Sequence, residues 1–114
     1  MKLRAVLGLF VLLVSSYSSA FYCSNVTVSD VLMYSDGSVK IRHDGRNDFT
    51  QICNLKNDWG DVTITMCAMW TSSLQSAMKN NLKATIYYPG DGTCPTLATY
   101  GSSPVPGYIG IQNY

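Results

Sequence analysis

Apolar and polar residues alternate along the stretch VTVSDVLMYSDGSVKIRHD, which predicts two strands joined by a tight turn. The dipeptide Asp36-Gly37 predicts a two-residue hairpin loop, because a type I′ turn needs a positive φ at both of its central positions. Pairing outward from that loop gives one face that is more apolar than the other, with the pairs Tyr34–Val39, Leu32–Ile41 and Asp30–His43. We assign this face to the core, together with Val26 and Val28.

The remaining elements are predicted by the same kind of pattern. Period-two alternation and bounding turn residues predict further strands over residues 49–53, 62–66, 83–88 and 109–111. A helix is predicted over Ala68–Asn81, ending at the pair Asn80-Asn81, which tolerates left-handed φ. Its buried face comes from positions spaced three and four apart: Cys67, Trp70, Leu74, Ala77 and Met78. The element order β-β-β-(β)-α-β-β indicates an α+β domain.

The first twenty residues have the layout of a secretory signal peptide. A short basic region is followed by an apolar run over Ala5–Val14 and by small residues up to Ala20. The run has about half the length that a bilayer span requires, and no later segment is long and apolar enough. We therefore expect a signal peptide over 1–20, a single domain over 21–114, and a secreted or periplasmic protein. The alternative is an uncleaved N-terminal anchor.

The charge of the predicted mature chain is close to balanced. Removing residues 1–20 takes away two of the eight basic residues and none of the seven acidic ones, all of which are aspartates. The remaining six basic and seven acidic residues form no block of like charge. The electrostatics therefore favour neither a nucleic acid nor an anionic membrane surface as partner.

All four cysteines follow the predicted signal peptide: Cys23, Cys53, Cys67 and Cys94. An even number of cysteines in a small exported chain indicates disulfides. A structural zinc site normally draws four Cys or His ligands from close pairs, whereas this chain has no C-x-x-C motif and one histidine. We expect two disulfides, no metal and no cofactor; free thiols are the remaining alternative.

Candidate catalytic chemistry is sparse. General acid–base catalysis usually needs two titratable groups, and here only His43 with Asp44 or Asp30 offers such a pair. The more ordinary interpretation is a solvent-facing histidine at a strand end, paired across the hairpin with Asp30. The chain has no Gly-x-Ser-x-Gly elbow, phosphate loop or dinucleotide-binding glycine pattern. We predict that it is not an enzyme.

Aromatic residues point to a binding function. Tyr87 and Tyr88 are adjacent on a predicted strand and so face opposite sides of the sheet, which leaves one of them exposed or lining a pocket. Sugar-binding sites usually combine aromatic rings with nearby hydroxyl and amide groups. The alternative is that they are ordinary surface tyrosines. Asn25-Val26-Thr27 is also a glycosylation sequon.

The segment FTQICNLKNDWGDVTITMCAMWTSSLQSAMKNNLKATIYYPG resembles the middle of the toxin B subunits of the subtilase-cytotoxin and pertussis-like type. The shared features are a strand ending in a Cys, a loop to a second Cys, an amphipathic helix, and a strand ending in Ile-Tyr-Tyr. In this chain they are carried by Cys53, Cys67, Leu74 with Ala77, and Ile86-Tyr87-Tyr88. The C-terminal part does not match, and the chain also resembles small exported bacterial proteins of no assigned function.

The resemblance implies an OB-like five-stranded antiparallel barrel with one helix, stapled by disulfides. It pairs Cys53 with Cys67, and the two remaining cysteines, Cys23 and Cys94, then form the second disulfide. It also implies non-catalytic binding of a cell-surface glycan, which is sialylated in that family. The binding protein would be a homopentamer that assembles with a catalytic A-type subunit. The matching ligand-binding positions are Tyr88 by motif and Ser24 by order along the chain, with Asn25 beside it. The alternative function is a small secreted structural or inhibitory protein without a sugar site.

Overall fold

The computed structural model describes residues 19–113. They form six strands, namely β1 (Ala20–Val26), β2 (Val28–Met33), β3 (Ser38–His43), β4 (Phe49–Asn54), β5 (Lys83–Pro89) and β6 (Tyr108–Gln112). One helix, α1 (Ile64–Asn80), and a short 3-10 turn (Cys94–Thr96) complete this part of the chain. The predicted signal peptide falls almost wholly on residues outside the described range, and it stays a prediction.

The strands form two three-stranded antiparallel sheets, with the orders β1-β5-β6 and β2-β3-β4. Only Thr27 separates β1 from β2, so one stretch of chain takes part in both sheets. Helix α1 packs against strands of both sheets, and the core lies between them. The predicted α+β class is confirmed.

The predicted five-stranded closed barrel is wrong, because neither sheet in residues 19–113 closes. The free edge of β4 is met by a loop instead of by β6: Tyr100 N donates to Phe49 O at 3.0 Å, and Gln51 N donates to the Ser103 hydroxyl at 3.0 Å. This loop continues through Pro104 and Pro106, which have no N–H to donate and cannot extend a strand ladder. The loop thus occupies the edge that closure would require.

The hairpin between β2 and β3 has a three-residue loop rather than the predicted two-residue one. Tyr34 N donates to Ser38 O at 2.8 Å, and Gly37 supplies the left-handed residue with a φ of 93°. The Asp36 carboxylate accepts from Ser38 N at 2.9 Å and from its hydroxyl at 2.7 Å. This side-chain turn stabilises the longer loop, and the dipeptide pattern did not reveal it.

The longer loop shifts the strand register by one residue. The observed pairs are Asp30–Arg42, Val31–Ile41, Leu32–Lys40 and Met33–Val39. Because side chains alternate between faces, this shift exposes Leu32 and Tyr34 and turns Val31 towards the core. The predicted core face was therefore correct on β3 and wrong on most of β2.

Helix α1 begins earlier than predicted, and the predicted strand over 62–66 is wrong. Thr63 is the N-cap, and its hydroxyl accepts from Met66 N at 3.2 Å. Asn81 ends the helix in the left-handed conformation with a φ of 55°, as predicted. Of the alternating apolar residues before Cys67, Ile64 and Met66 lie in this first turn and are exposed, whereas Val62 precedes the helix and is buried.

The predicted buried face of the helix is confirmed at four of its five positions. Cys67, Trp70, Leu74 and Ala77 are buried, whereas Met78 is exposed. Thr71 is also buried, and its hydroxyl donates back to the Cys67 carbonyl at 2.7 Å, which satisfies the polar group inside the core.

Both predicted disulfides are present. Cys53–Cys67 connects β4 to helix α1, and Cys23–Cys94 connects β1 to the 3-10 turn. Each sheet is therefore covalently fastened to the segment that packs beside it. No helix within residues 19–113 has the length and hydropathy needed to cross a bilayer.

Candidate functional site

The structure does not bring the predicted ligand residues onto one rim. Tyr88 is 0% exposed, and its ring stacks on Phe21 with the centroids 5.0 Å apart. Ser24 and Asn25 are exposed on β1. The expectation that Tyr88 presents an accessible ring is wrong, because the pairing of β1 with β5 sets Phe21 and Tyr88 on the inner face.

The Tyr88 hydroxyl belongs to the core. Burial raises the pKa of Tyr88, and the Thr50 hydroxyl opposes that rise. The two hydroxyls are near each other, yet neither completes a hydrogen bond within the described part of the chain. Tyr88 therefore acts as a packing residue rather than as a surface donor.

The neighbouring residue on β5, Tyr87, occupies the outer face with two other tyrosines. Its ring centroid lies 5.2 Å from that of Tyr22 on β1 and 5.1 Å from that of Tyr108 on β6. The rings of Tyr87 and Tyr108 are nearly parallel, at 16°, and Tyr22 is tilted by 46°. We call Tyr22, Tyr87 and Tyr108 the tyrosine face. Tyr22 and Tyr108 are exposed, and Tyr87 lies half-buried between them.

Gly107 holds the middle ring of the tyrosine face. Its N–H donates to the Tyr87 carbonyl at 2.7 Å, and its backbone lies directly against the Tyr87 ring. A Cβ at this position would come within 2.5 Å of Tyr87 Cδ2. Glycine is thus required here by close approach.

Gly107→Ala is expected to cost about 1–3 kcal/mol of stability, the usual range for overpacking, because the Tyr87 ring must move. Gly110→Ala is the matched control on the same strand segment. A Cβ there would meet nothing within 4 Å, so its effect should stay within about 0.5 kcal/mol. Chemical denaturation measures both variants, and equal losses would contradict the role assigned to Gly107.

Polar groups continue the outer face beyond the tyrosines. On β5 and β6 the pairs Tyr87–Tyr108, Thr85–Gly110 and Lys83–Gln112 alternate with inward-facing pairs, so they share one side of the sheet. The Thr85 hydroxyl donates to Gln112 Oε1 at 2.6 Å and accepts from Asn25 N at 3.4 Å. Gly110 leaves the surface open between Tyr108 and Gln112.

A groove of about 630 Å³ borders the tyrosine face at Tyr108. Its walls come from helix α1, the loop before it and the loop before β6, and they are mostly apolar, including Val62, Met66, Trp70 and Val105. Asp61 contributes the one acidic group to this lining. Tyr108 thus belongs to two adjoining surfaces, a flat aromatic one and a concave apolar one.

His43 is not the solvent-facing residue that we predicted. It is 1% exposed, and its Nδ1 accepts from Gly45 N at 3.1 Å. The Asp44 carboxylate accepts from Thr27 N, and the Asp30 carboxylate accepts from the Ser29 hydroxyl. The predicted pairing of His43 with Asp30 is therefore wrong, since Asp30 lies opposite Arg42.

The buried histidine makes stability depend on pH. Burial lowers the pKa of His43 below 6.5, although the charge of Asp44 opposes this effect. As pH falls below about 6.5, the unfolded chain takes up the proton before the folded chain does, so stability decreases until the folded pKa is passed.

We expect lower urea midpoints at pH 5.5 than at pH 7.5. His43→Gln should flatten this difference, and an unchanged slope would contradict the assignment.

Sequence reasoning missed the tyrosine face, although it left two adjacent tyrosines as candidates. The signal that would have favoured Tyr87 was the register of β1 against β5, which no local pattern encodes. Tyr108 directly precedes the strand predicted over 109–111, and no local pattern marked it as a site residue. No protein-family model, curated protein or solved structure matches this chain.

Proposed function

We propose that this protein is a secreted, non-catalytic binder of a cell-surface glycan, and that the tyrosine face is its binding surface. The observation that carries the proposal is the row of three adjacent rings, Tyr22, Tyr87 and Tyr108, on the outside of one sheet. Tyr22 is 50% exposed and Tyr108 is 46% exposed, so the two outer rings of the row are accessible to a ligand. Two disulfides support an oxidising compartment such as the cell exterior.

The chemistry of the face suits a sugar. Aromatic rings offer apolar faces to the C–H groups of a pyranose, and hydroxyl and amide groups orient its hydroxyls. Thr85 and Gln112 provide such groups beside the rings, and Ser24 and Asn25 are exposed on the adjacent strand. The open surface at Gly110 lets a sugar ring approach the backbone of β6. Ser24 and Asn25 stay in the proposed site, while Tyr87 takes the place given to Tyr88.

A sialylated glycan, which the toxin-like resemblance predicts, carries a carboxylate, and a cation near that carboxylate strengthens binding. Lys83 lies on the same outer face, and its Nζ donates to the Thr27 hydroxyl at 2.6 Å. An ammonium group has two further donors, so Lys83 can also bind a carboxylate. The apolar groove next to Tyr108 has room for an N-acyl group.

The proposal predicts that Tyr108→Ala weakens binding about tenfold when the mature protein is applied to a glycan array. Loss of one stacking ring removes about 1–2 kcal/mol of contact energy, and the ring also forms part of the groove wall. Gly110→Leu should weaken binding similarly, because its side chain fills a position where an added Cβ meets nothing within 4 Å. Lys83→Met should weaken binding of sialylated glycans more than binding of their neutral counterparts.

Tyr100→Ala is the matched control, because this tyrosine is 47% exposed but packs beside Phe49 on the other sheet. It should bind as the wild type does. A wild type that binds no glycan at any density would remove the proposed function and favour a structural or inhibitory protein. Binding that Tyr108→Ala and Gly110→Leu leave unchanged would remove only the site.

On the basis of the resemblance, we also propose that the protein assembles into a pentameric ring with a catalytic A-type subunit. The outward side of helix α1 is uncharged over most of its length. Such a surface suits contact with other copies. Light scattering on the mature protein should then give five times the mass of one chain, whereas a single-chain mass would contradict the ring.

A further inference from the structure

The chain contains Asp-Gly dipeptides at Asp36-Gly37, Asp44-Gly45 and Asp91-Gly92. In such a dipeptide the carboxyl carbon of the aspartate lies near the next backbone nitrogen, and glycine has no side chain to hinder their approach. Attack by that nitrogen closes a five-membered succinimide ring, which can reopen as isoaspartate. The attack needs a carboxyl group and a nitrogen that the fold leaves free.

The first dipeptide is held by the hairpin between β2 and β3. The Asp36 carboxylate accepts from the Ser38 hydroxyl at 2.7 Å and from Ser38 N at 2.9 Å, and these bonds lower the pKa of Asp36. An ionised carboxylate resists attack, because its oxygen must leave as water. Gly37 is buried, and its N–H donates to Tyr34 O at 2.9 Å. Both reacting groups are therefore engaged.

The second dipeptide is held at the end of β3. The Asp44 carboxylate accepts from Thr27 N at 2.9 Å. Gly45 N donates to His43 Nδ1 at 3.1 Å. Gly45 is also closely packed, since an added Cβ would lie 2.8 Å from Val26 Cγ1. The Gly45 nitrogen therefore cannot turn towards the carboxyl carbon without breaking these contacts.

The third dipeptide lies in the loop between β5 and the 3-10 turn, where Asp91 and Gly92 are both exposed. The backbone hydrogen bonds on either side of it are made by Gly90 N, which donates to Ser19 O, and by Thr96 N. Within residues 19–113, neither the Asp91 carboxylate nor Gly92 N takes part in a hydrogen bond. Both reacting groups are thus free in the folded protein.

We propose that Asp91-Gly92 is a modification site at which the folded protein forms isoaspartate, and that the fold protects the other two Asp-Gly dipeptides. Gly92 N attacks the Asp91 carboxyl carbon and forms the new C–N bond. The N–H proton and the carboxyl hydroxyl leave together as water. Water then adds to the succinimide: opening at the backbone carbonyl gives isoaspartate, and opening at the side-chain carbonyl restores aspartate. The two steps release and consume one water, and no electrons are transferred.

Isoaspartate lengthens the backbone where it meets the core, because the chain then runs through the Asp91 side chain and gains one methylene. Gly92 lies directly against Phe21, since an added Cβ would be 2.9 Å from Phe21 Cε1. The Phe21 ring stacks on Tyr88, and the disulfide at Cys94 fixes the far end of the loop. The added length therefore falls in a segment that is held by β5 on one side and by the disulfide on the other. This modification is independent of glycan binding.

The mature protein, with both disulfides intact, is stored near neutral pH at physiological temperature with and without urea. Proteolysis and electron-transfer fragmentation then locate isoaspartate, which fragments differently from aspartate. In the folded protein we expect modification at Asp91 to be about tenfold faster than at Asp36 or Asp44, because one hydrogen bond that must break corresponds to about that factor. In urea, where the partners of Asp36 and Asp44 are lost, the three rates should become similar.

Asp91→Glu is the matched variant, because it keeps the charge while the same attack must close a six-membered ring, which forms more slowly. The stored folded variant should contain no more isoaspartate than the fresh protein. Modification of Asp36 or Asp44 as fast as Asp91 in the folded wild type would overturn the proposal. So would absence of isoaspartate at Asp91 in the folded chain over a period in which the chain in urea forms it. A preference for Asp91 that persists unchanged in urea would also overturn it, since the fold would then have no part in the selectivity.

Discussion

Leu74→Ala is expected to lower the free energy of unfolding by about 2–5 kcal/mol, the range measured for large buried aliphatic residues. Leu74 is fully buried on helix α1, which packs against strands of both sheets. Truncation leaves a cavity between the helix and the sheets. Because the Cys53–Cys67 disulfide restrains the surrounding backbone, that backbone cannot move in to fill the cavity. Domains of this size are typically stable by about 5–15 kcal/mol, so this single change removes a large share.

Met69→Ala is the control for this prediction, because Met69 lies on the same helix and is 60% exposed. Its effect should stay within about 0.5 kcal/mol. Chemical denaturation of both variants, with the m-value checked for constancy, gives the comparison. A Leu74→Ala loss no larger than that of Met69→Ala would mean that the buried face of the helix is misassigned.

Cys23→Ala/Cys94→Ala should destabilise the protein by about 4 kcal/mol in the chain-entropy model. The two cysteines are 71 residues apart, so the disulfide restricts most of the unfolded domain. It also fastens the 3-10 turn, whose three residues are otherwise held by backbone hydrogen bonds of 3.3 Å. We expect a lower denaturation midpoint and earlier hydrogen exchange in the segment around Cys94.

Cys53→Ala/Cys67→Ala provides the comparison, because these cysteines are only 14 residues apart. The same model gives a loss of about 3 kcal/mol for a loop of this length. The expected order is therefore a larger loss for the long loop than for the short one. A loss below about 1 kcal/mol for the long loop would show that the 3-10 turn docks without its covalent link.

Several features followed from the sequence because local chemistry decides them. The spacing of Cys67, Trp70 and Leu74 predicted the buried side of the helix, since only one side of a helix can face a core. Asn81 predicted the helix end because its side chain tolerates a left-handed backbone. The cysteine pairs followed from an even count and from the resemblance around Cys53.

Local sequence patterns did not determine which tyrosine belongs to the candidate site. Tyr87 and Tyr88 are chemically alike and adjacent, so a strand pattern places them on opposite faces without saying which face is buried. The choice depends on the partners that the sheet provides: Phe21 stacks on Tyr88 inside, and Tyr22 and Tyr108 flank Tyr87 outside. These contacts join residues that are far apart in the chain.

The sequence by itself determined the helix face, the helix end and the number of cross-links, because these depend on spacing within a few residues and on residue chemistry. Only the structure decided the hairpin register, the failure of the sheets to close, the burial of His43 and which of Tyr87 and Tyr88 faces outward. One residue of register exchanges the inner and outer faces of a strand, and the Asp36 side-chain turn sets that register in the hairpin. The loop at Tyr100 meets the free edge of β4, and the pairing of β1 with β5 turns Tyr88 inward, both through contacts between residues far apart in the chain.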